Sequence, residues 1–262
     1  MANPEIFEVY AVKYAVHDRL AQENFLRPVD PHDSAMPIDY FVWAVVSEAR
    51  TVVIDTGFNA EVAAKRGRTL LRCPTEGLAL IGIDAAEVTD VVITHMHYDH
   101  VGNFDLFPKA DFHLQDDEMA FATGRHMRHG QFRGAIELED VVGMVRRVYD
   151  GRVVFHKGDA ELTAGLSLHR IGGHTGGLQS VRVRTRRGWV VLASDASHLY
   201  AHLREVNPFP IVFNIGEMID GYDILRRLAD SEDHIIPGHD PKVMEIYPAP
   251  RPDLQGIVAR LD

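Results

Sequence analysis

The segment THMHYDHVGN, positions 94–103, places His95, His97, Asp99 and His100 within six consecutive positions. Imidazole nitrogen and carboxylate oxygen are donors that a borderline-soft divalent cation accepts, and so many polar groups leave water together only when something binds them. The bland alternative, four solvated residues in one loop, suits an isolated histidine better than this density. Three further candidates lie downstream: His174 within Gly172-Gly173-His174-Thr175-Gly176-Gly177, Asp195 after WVVLAS, and His239 after HIIPG. Singly, these read as a turn histidine, a helix cap and a loop residue. Together they repeat one arrangement, a polar donor at or just beyond the carboxyl end of a short apolar run. A carboxylate can hold two cations roughly 3.5 to 4 Å apart, a spacing that lets a shared hydroxide attack an acyl carbon while one cation polarises its carbonyl.

Donors so placed need strands that end where they begin. Residues 7–14, 40–46 and 51–54 are short apolar or β-branched runs, the last closing on Asp55-Thr56-Gly57. After a helical turn over 84–87, the run VTDVVIT at 88–94 reads as a buried strand leading directly into His95. Segments 153–155, 166–171, 180–185 and 189–194 supply a second strand-rich half, and 234–236 a short strand ahead of Pro237-Gly238-His239. An amphipathic helix is drawn over 215–228, and helical pieces over 61–82 are interrupted by Pro74 and Gly77. Residues 116–149 read as mostly helical, with GRHMRHGQFRG inside them as a candidate lid near the site. Two strand-rich halves with helices between them predict an α/β fold, two packed sheets covered by helices in an αββα sandwich. With no linker, repeat or composition shift, 1–262 reads as a single domain.

The order HxHxDH, then H, D and H, resembles that of the metallo-β-lactamase superfamily, and within it the N-acyl-homoserine lactonase-like branch. The likeness spans nearly the whole chain, including IDTG at 54–57. It implies that His95, His97 and His174 hold one metal ion, that Asp99, His100 and His239 hold a second, and that Asp195 bridges them. The implied cofactors are two zinc ions, with manganese, iron or cobalt as the alternatives such ligands accommodate. The implied reaction is hydrolysis of a lactone, a small-molecule cyclic ester, with Asp99 also able to orient the nucleophile or take its proton. Many lactonases of the branch carry a substrate-contacting tyrosine three positions after the bridging aspartate. Here that position is His198, and Tyr200 lies two residues further on. Imidazole still donates to a carbonyl or leaving oxygen, so His198 is expected to touch substrate. The departure weakens an acyl-homoserine-lactone assignment and looks like other lactonases of the branch, including the 4-pyridoxolactonase type acting on an aromatic bicyclic lactone. The resemblance also carries an expectation of a homodimer.

Around this core, Asp55 is expected to fix a loop or a ligand histidine, with a turn carboxylate as the competing reading. Arg125, Arg128 and Arg133 offer a carboxylate clamp if the 116–149 segment folds over the site, against the alternative of a solvated basic helix face. Phe107, Phe209 and Phe213 are candidates for an apolar pocket wall or for the core. His113, His156, His169 and His234 read as surface or satisfied core histidines.

Composition narrows the partners. A formal net charge of -11 lacks the basic footprint of nucleic-acid binding, so the expected partner is small. Glu5 and Glu8 stand where a secretory leader would be basic and then apolar, and no apolar run approaches a membrane span. The single cysteine, Cys73, forms no intrachain disulfide, in keeping with the cytoplasm. Rival functions are thioester, β-lactam or phosphodiester hydrolysis, a noncatalytic metal-stabilised binding protein, and a serine hydrolase. The last lacks a GxSxG elbow.

Overall fold

The computed structural model describes residues 5–29 and 32–262. Its strands are β1 (Glu8–His17), β2 (Ile38–Val46), β3 (Thr51–Ile54), β4 (Thr69–Leu70), β5 (Asp90–Val92), β6 (Asp111–Gln115), β7 (Val153–His156), β8 (Ala160–Thr163), β9 (Leu166–Arg170), β10 (Gln179–Thr185), β11 (Gly188–Ser194), β12 (Ile235–Pro237) and β13 (Val258–Arg260). Strand β2 shows how the layers arise. Its residues alternate between two cores, Ile38, Tyr40, Val42 and Ala44 facing one and Phe41, Trp43 and Val45 the other. A strand apolar on both faces must be covered on both.

The first sheet runs β13-β1-β2-β3-β5-β6-β7, with β4 paired to β1, and the second runs β12-β11-β10-β9-β8. Phe41, Trp43 and Val45 meet Val181, Val183, Val190 and Leu192 of the second sheet, so one core lies between the sheets. On the outer face of the first sheet, Val42 and Val53 pack with Ala63, Leu78, Val141 and Met144 from helices. On the outer face of the second, Val191 and Ala193 pack with Leu203, Met218, Tyr222 and Leu225. The layers are therefore helix, sheet, sheet, helix, the expected αββα sandwich.

Strands β3, β5, β6 and β7 pair in parallel, as do β11 and β12. Their carboxyl ends consequently share an edge, and the loops there carry Asp55, His95 and its neighbours, Asp195 and His239. Four strands escaped sequence reading: β6, β8 and β13, and β4, which lies where helical pieces were expected. The strand expected over 88–94 shortens to β5, because the Thr94 N–H turns from the ladder to the Asp55 carboxylate at 2.7 Å. The 116–149 segment is broken into Asp116–Ala122, Arg125–Arg128, Gly130–Arg133 and Leu138–Tyr149, while helix Ile215–Leu228 matches its expected bounds. Among the described residues, no helix is long and apolar enough to cross a membrane.

Candidate metal centre

The seven candidate ligands converge on one buried centre supplied by both sheets. His95, His97, His174 and Asp195 form one group and Asp99, His100 and His239 another, the donor atoms of each group lying within 4.8 Å of one another. In the first group, His174 Nε2 is 2.9 Å from His97 Nδ1 and 3.0 Å from Asp195 Oδ2, while His95 Nε2 is 3.6 Å from Asp195 Oδ2. In the second, Asp99 Oδ2 lies 3.6 Å from His100 Nε2 and 3.7 Å from His239 Nε2. Asp195 reaches both: its Oδ1 is 2.9 Å from His239 Nε2 and 3.4 Å from His100 Nε2.

The arrangement fits divalent cations on its own chemistry. The Nε2 atoms of His95 and His100 are buried and make no hydrogen bond. A buried polar atom without a partner costs about 1 to 3 kcal/mol, so two in one cluster call for another kind of partner. Burial pushes the pKa values of His95 and His97 well down, aided by neighbouring imidazoles, and so favours the neutral form that ligates. Burial opposes the charge of Asp195, yet His198, His239, His100 and His174 hold its pKa well below the usual carboxylate range. Burial also opposes protonation of His100 and His239, but Asp195 and other carboxylates outweigh it and raise both.

Hydrogen bonds behind the ligands fix their orientation. Asp55, held at φ 62°, accepts from the Thr94 N–H at 2.7 Å, the Thr94 hydroxyl at 2.8 Å and His100 Nδ1 at 2.7 Å. The His100 bond leaves Nε2 facing the centre. His239 Nδ1 donates to the Asp39 carbonyl at 2.9 Å with the same effect. Gly238 lets two loops close here, since a Cβ would sit 2.8 Å from the Ser194 backbone and 2.9 Å from Asp195 Oδ1. Glu118, fully buried, was missed by sequence reading. Its carboxylate accepts from the Met96 N–H at 2.8 Å, the Thr175 hydroxyl at 2.6 Å and the Gly177 N–H at 2.8 Å, tying the His97 loop to the His174 loop. Nothing in its sequence neighbourhood marks it, because its partners lie on distant segments. Ser194 is buried with its hydroxyl 2.9 Å from that of Thr94.

A cavity of about 230 Å³ opens over the centre. His198 lines it, with Nε2 3.0 Å from Asp195 Oδ2 and its ring stacked at 3.9 Å on Phe209. Asp195, His198 and His239 also form a third group of mutually close donors. Tyr200 begins a helix, packs against the inter-sheet core and does not line the cavity. Of the three phenylalanines only Phe209 is a wall. Phe107 is buried in the outer core of the first sheet, and Phe213 packs among Phe121, His126 and Phe132. Arg125, Arg128 and Arg133 are exposed and off the cavity, although Gln131, Gly134 and Ala135 of the same segment do line it. The arginines present are Arg19, Arg66 and Arg68. The four other histidines singled out in the sequence have local partners away from the centre: His113 with His156 at 3.0 Å, His169 with Asp159 at 2.9 Å and His234 with Ser231 at 2.8 Å.

Residues 37–239 match the metallo-beta-lactamase superfamily domain, and the chain belongs to that superfamily. Among named relatives, the N-acyl homoserine lactonase AiiB of Agrobacterium fabrum is 27% identical over 246 residues, which is 84% of this chain and 87% of that protein. Two solved structures share the fold. An N-acyl homoserine lactone hydrolase with the product N-hexanoyl-L-homoserine at its catalytic metal center superposes with a TM-score of 0.76 at 16% identity, covering 95% of this chain and 98% of that one. AidC, a dizinc quorum-quenching lactonase, gives a TM-score of 0.71 at 15% identity, covering 92% and 91%.

Proposed function

We propose that this chain, read as one hydrolase domain over 1–262, is a metal-dependent lactone hydrolase acting on a compact, ring-fused cyclic ester. The observation that carries the reading is the convergence of three carboxylate and histidine groups on one cavity floor, with buried imidazole nitrogens that have no hydrogen-bond partner. Lactonase relatives support the reaction class, and a dizinc neighbour supports zinc as the metal.

In this reading His95, His97 and His174 hold one zinc ion, Asp99, His100 and His239 a second, and Asp195 serves both. Bound there, such ions acidify water and polarise an acyl carbonyl. Asp99 lies at the cavity floor, where its carboxylate can take the proton of the attacking water. His198 stands on the wall with its Nε2 directed at the centre, 3.0 Å from Asp195 Oδ2, suited to donate to the carbonyl or to the alkoxide released on ring opening. Phe209 fixes that imidazole by stacking on it and presents an apolar face to the substrate ring. Tyr40 and Tyr98 narrow the opposite side, and burial keeps the Tyr98 phenol neutral by raising its pKa to about 12.

The size of the space bears on the substrate. Drug-sized ligands occupy sites of about 300 to 1,000 Å³, and about 230 Å³ favours a compact ring system over a long acyl chain. The imidazole at position 198, where many lactonases of the branch carry a phenol, argues in the same direction and makes a pyridoxolactone-type aromatic lactone the preferred candidate.

The test is proton release from a lactone panel, with zinc-loaded and metal-free protein side by side. The panel pairs acyl-homoserine lactones with an aromatic pyridoxolactone. Metal-dependent release, faster on the aromatic lactone, is the expected result. No release from any lactone by protein carrying its full zinc complement would overturn the reading.

A further inference from the structure

The cavity has two walls, each starting at an imidazole of the centre and ending on a guanidinium. On one, His198 stacks on Phe209, and the Arg19 Cζ lies 4.9 Å from that ring's centroid. On the other, His239 meets Tyr40 edge-on at 5.2 Å, the Tyr40 and Tyr98 hydroxyls are 3.0 Å apart, and Arg68 Nε donates to Tyr98 at 3.0 Å. The third cavity arginine is already committed, since Arg66 pairs with Glu137 at 2.7 Å.

Arg19 and Arg68 have no such partner. Arg19 donates to the Asn24 side chain at 2.6 Å and to the Glu23 carbonyl, and Arg68 donates to Tyr98, to His17 and to the Arg66 carbonyl. Among the described residues neither forms an ion pair with a carboxylate. Glu23 is near enough to favour the charge on Arg19, but its own carboxylate accepts the Leu20 N–H at 2.7 Å. Both guanidiniums are half-buried; burial lowers the pKa of Arg19, with the charge on Arg68 acting in the same direction, whereas at Arg68 burial is outweighed by the Tyr98 and Tyr40 phenols and Asp99, which raise it. His17 beside them is pushed to about 4 by burial and by the charges of Arg68 and Arg19, so it stays neutral and adds no third positive charge. In a chain of net charge -11, two neighbouring half-buried guanidiniums that line the cavity and share no ion pair with a carboxylate are free to receive an anion.

We propose that Arg19 and Arg68 form a subsite for a carboxylate carried by the substrate, at the end of the cavity away from the metal centre. The reaction in this proposal rests on the lactonase reading and refines its substrate to a ring-fused lactone that also bears a carboxylate, which pyridoxolactone itself lacks; the anion chemistry of the subsite does not rest on it. Guanidiniums approaching from two walls fix the orientation of a carboxylate-bearing ring, turning its lactone carbonyl toward Asp99 and His198.

Two matched probe pairs test this on the zinc-loaded protein. Carboxyphthalide and its primary amide differ only at the group offered to the arginines and report turnover. Isophthalate and its monoamide each offer one carboxylate to the metal centre, and calorimetry reports their binding without any reaction. A charge-assisted hydrogen bond supports a preference of about tenfold or more for the carboxylate member of each pair. Arg19→Gln and Arg68→Gln, made separately and checked for zinc content, should each reduce that preference, whereas Arg68→Lys should retain part of it. A purely structural role would slow both members of a pair equally. If isophthalate keeps its arginine-dependent advantage while no lactone is opened, the subsite stands and the lactonase reading falls. If phthalides are opened with equal efficiency and isophthalate binds no better than its monoamide, or if the preference survives in both glutamine variants, the subsite is overturned and the lactonase reading is untouched.

Discussion

At Asp195 and His198, three positions apart, two side chains in contact at 3.0 Å are assigned different work. Asp195 presents one oxygen to each ligand group, so Asp195→Ala removes the shared donor. It should leave fewer than two metals per chain by elemental analysis and reduce kcat/KM by about 100-fold or more. His198 contacts the same carboxylate but also faces the cavity and stacks on Phe209. His198→Ala should keep the metal content near normal while lowering lactone kcat/KM by about 10- to 100-fold, the range of a lost donor to a reacting oxygen. Because Asp195, His198 and His239 also form a close donor group, the metal analysis decides between two roles for this imidazole. Loss of metal from His198→Ala would move it into the coordination sphere.

Among the elements, helix Leu138–Tyr149 carries a titration of its own, remote from the metal centre. Asp140 lies on its buried side with Oδ2 unpaired, and burial, reinforced by the negative charge of Glu137, raises its pKa to about 7. An aspartate in the unfolded chain titrates near 3.9, so the folded state binds this proton more tightly. The associated stability is fully present below pH 4 and is lost as the pH rises through 7, a change of a few kcal/mol at most. Asp140→Asn should therefore raise the urea midpoint at pH 8 and give little gain at pH 4. An equal gain at both values would show that Asp140 is not the titrating group. The elements also mark how far the sequence could be read. Strand β3 and helix Ile215–Leu228 were legible because their apolar periods and terminators are local. Strands β4, β6, β8 and β13 were not, β4 being two residues long and the others no more than five, with polar residues such as His113, Glu161 and Arg260 among the apolar ones. The same distinction governs the site. The histidine and aspartate donors stand at strand ends within short recurring patterns, whereas Arg19 and Arg68 lie beside strands β1 and β4, and only the pairing of those strands brings them to one cavity. Sequence reading instead looked to Arg125, Arg128 and Arg133, which are next to one another in the chain but face solvent.

Across the whole molecule, the metal centre straddles the two sheets. His95, His97, Asp99 and His100 follow β5 of the first sheet, while His174, Asp195 and His239 follow β9, β11 and β12 of the second. Ions held by both sets would cross-link the sheets at the edge of their shared core, so binding should favour the folded chain over one in which the donors are dispersed. Linkage sets the size of the effect: free zinc at 100 times the dissociation constant of a site adds about 2.7 kcal/mol for that site. For a chain of this size each kcal/mol corresponds to roughly 2 to 4 °C, so zinc at that level should raise Tm by about 5 to 10 °C for each site filled, over the chelated protein. Differential scanning calorimetry in buffered free zinc measures this directly, and Tm should climb with the logarithm of free zinc once the sites fill. Asp195→Ala should flatten that slope, because the oxygen common to both groups is gone. A wild-type Tm that stays constant while elemental analysis shows the sites filling would mean that the metals do not join the sheets, and that the inter-sheet core alone holds the sandwich together.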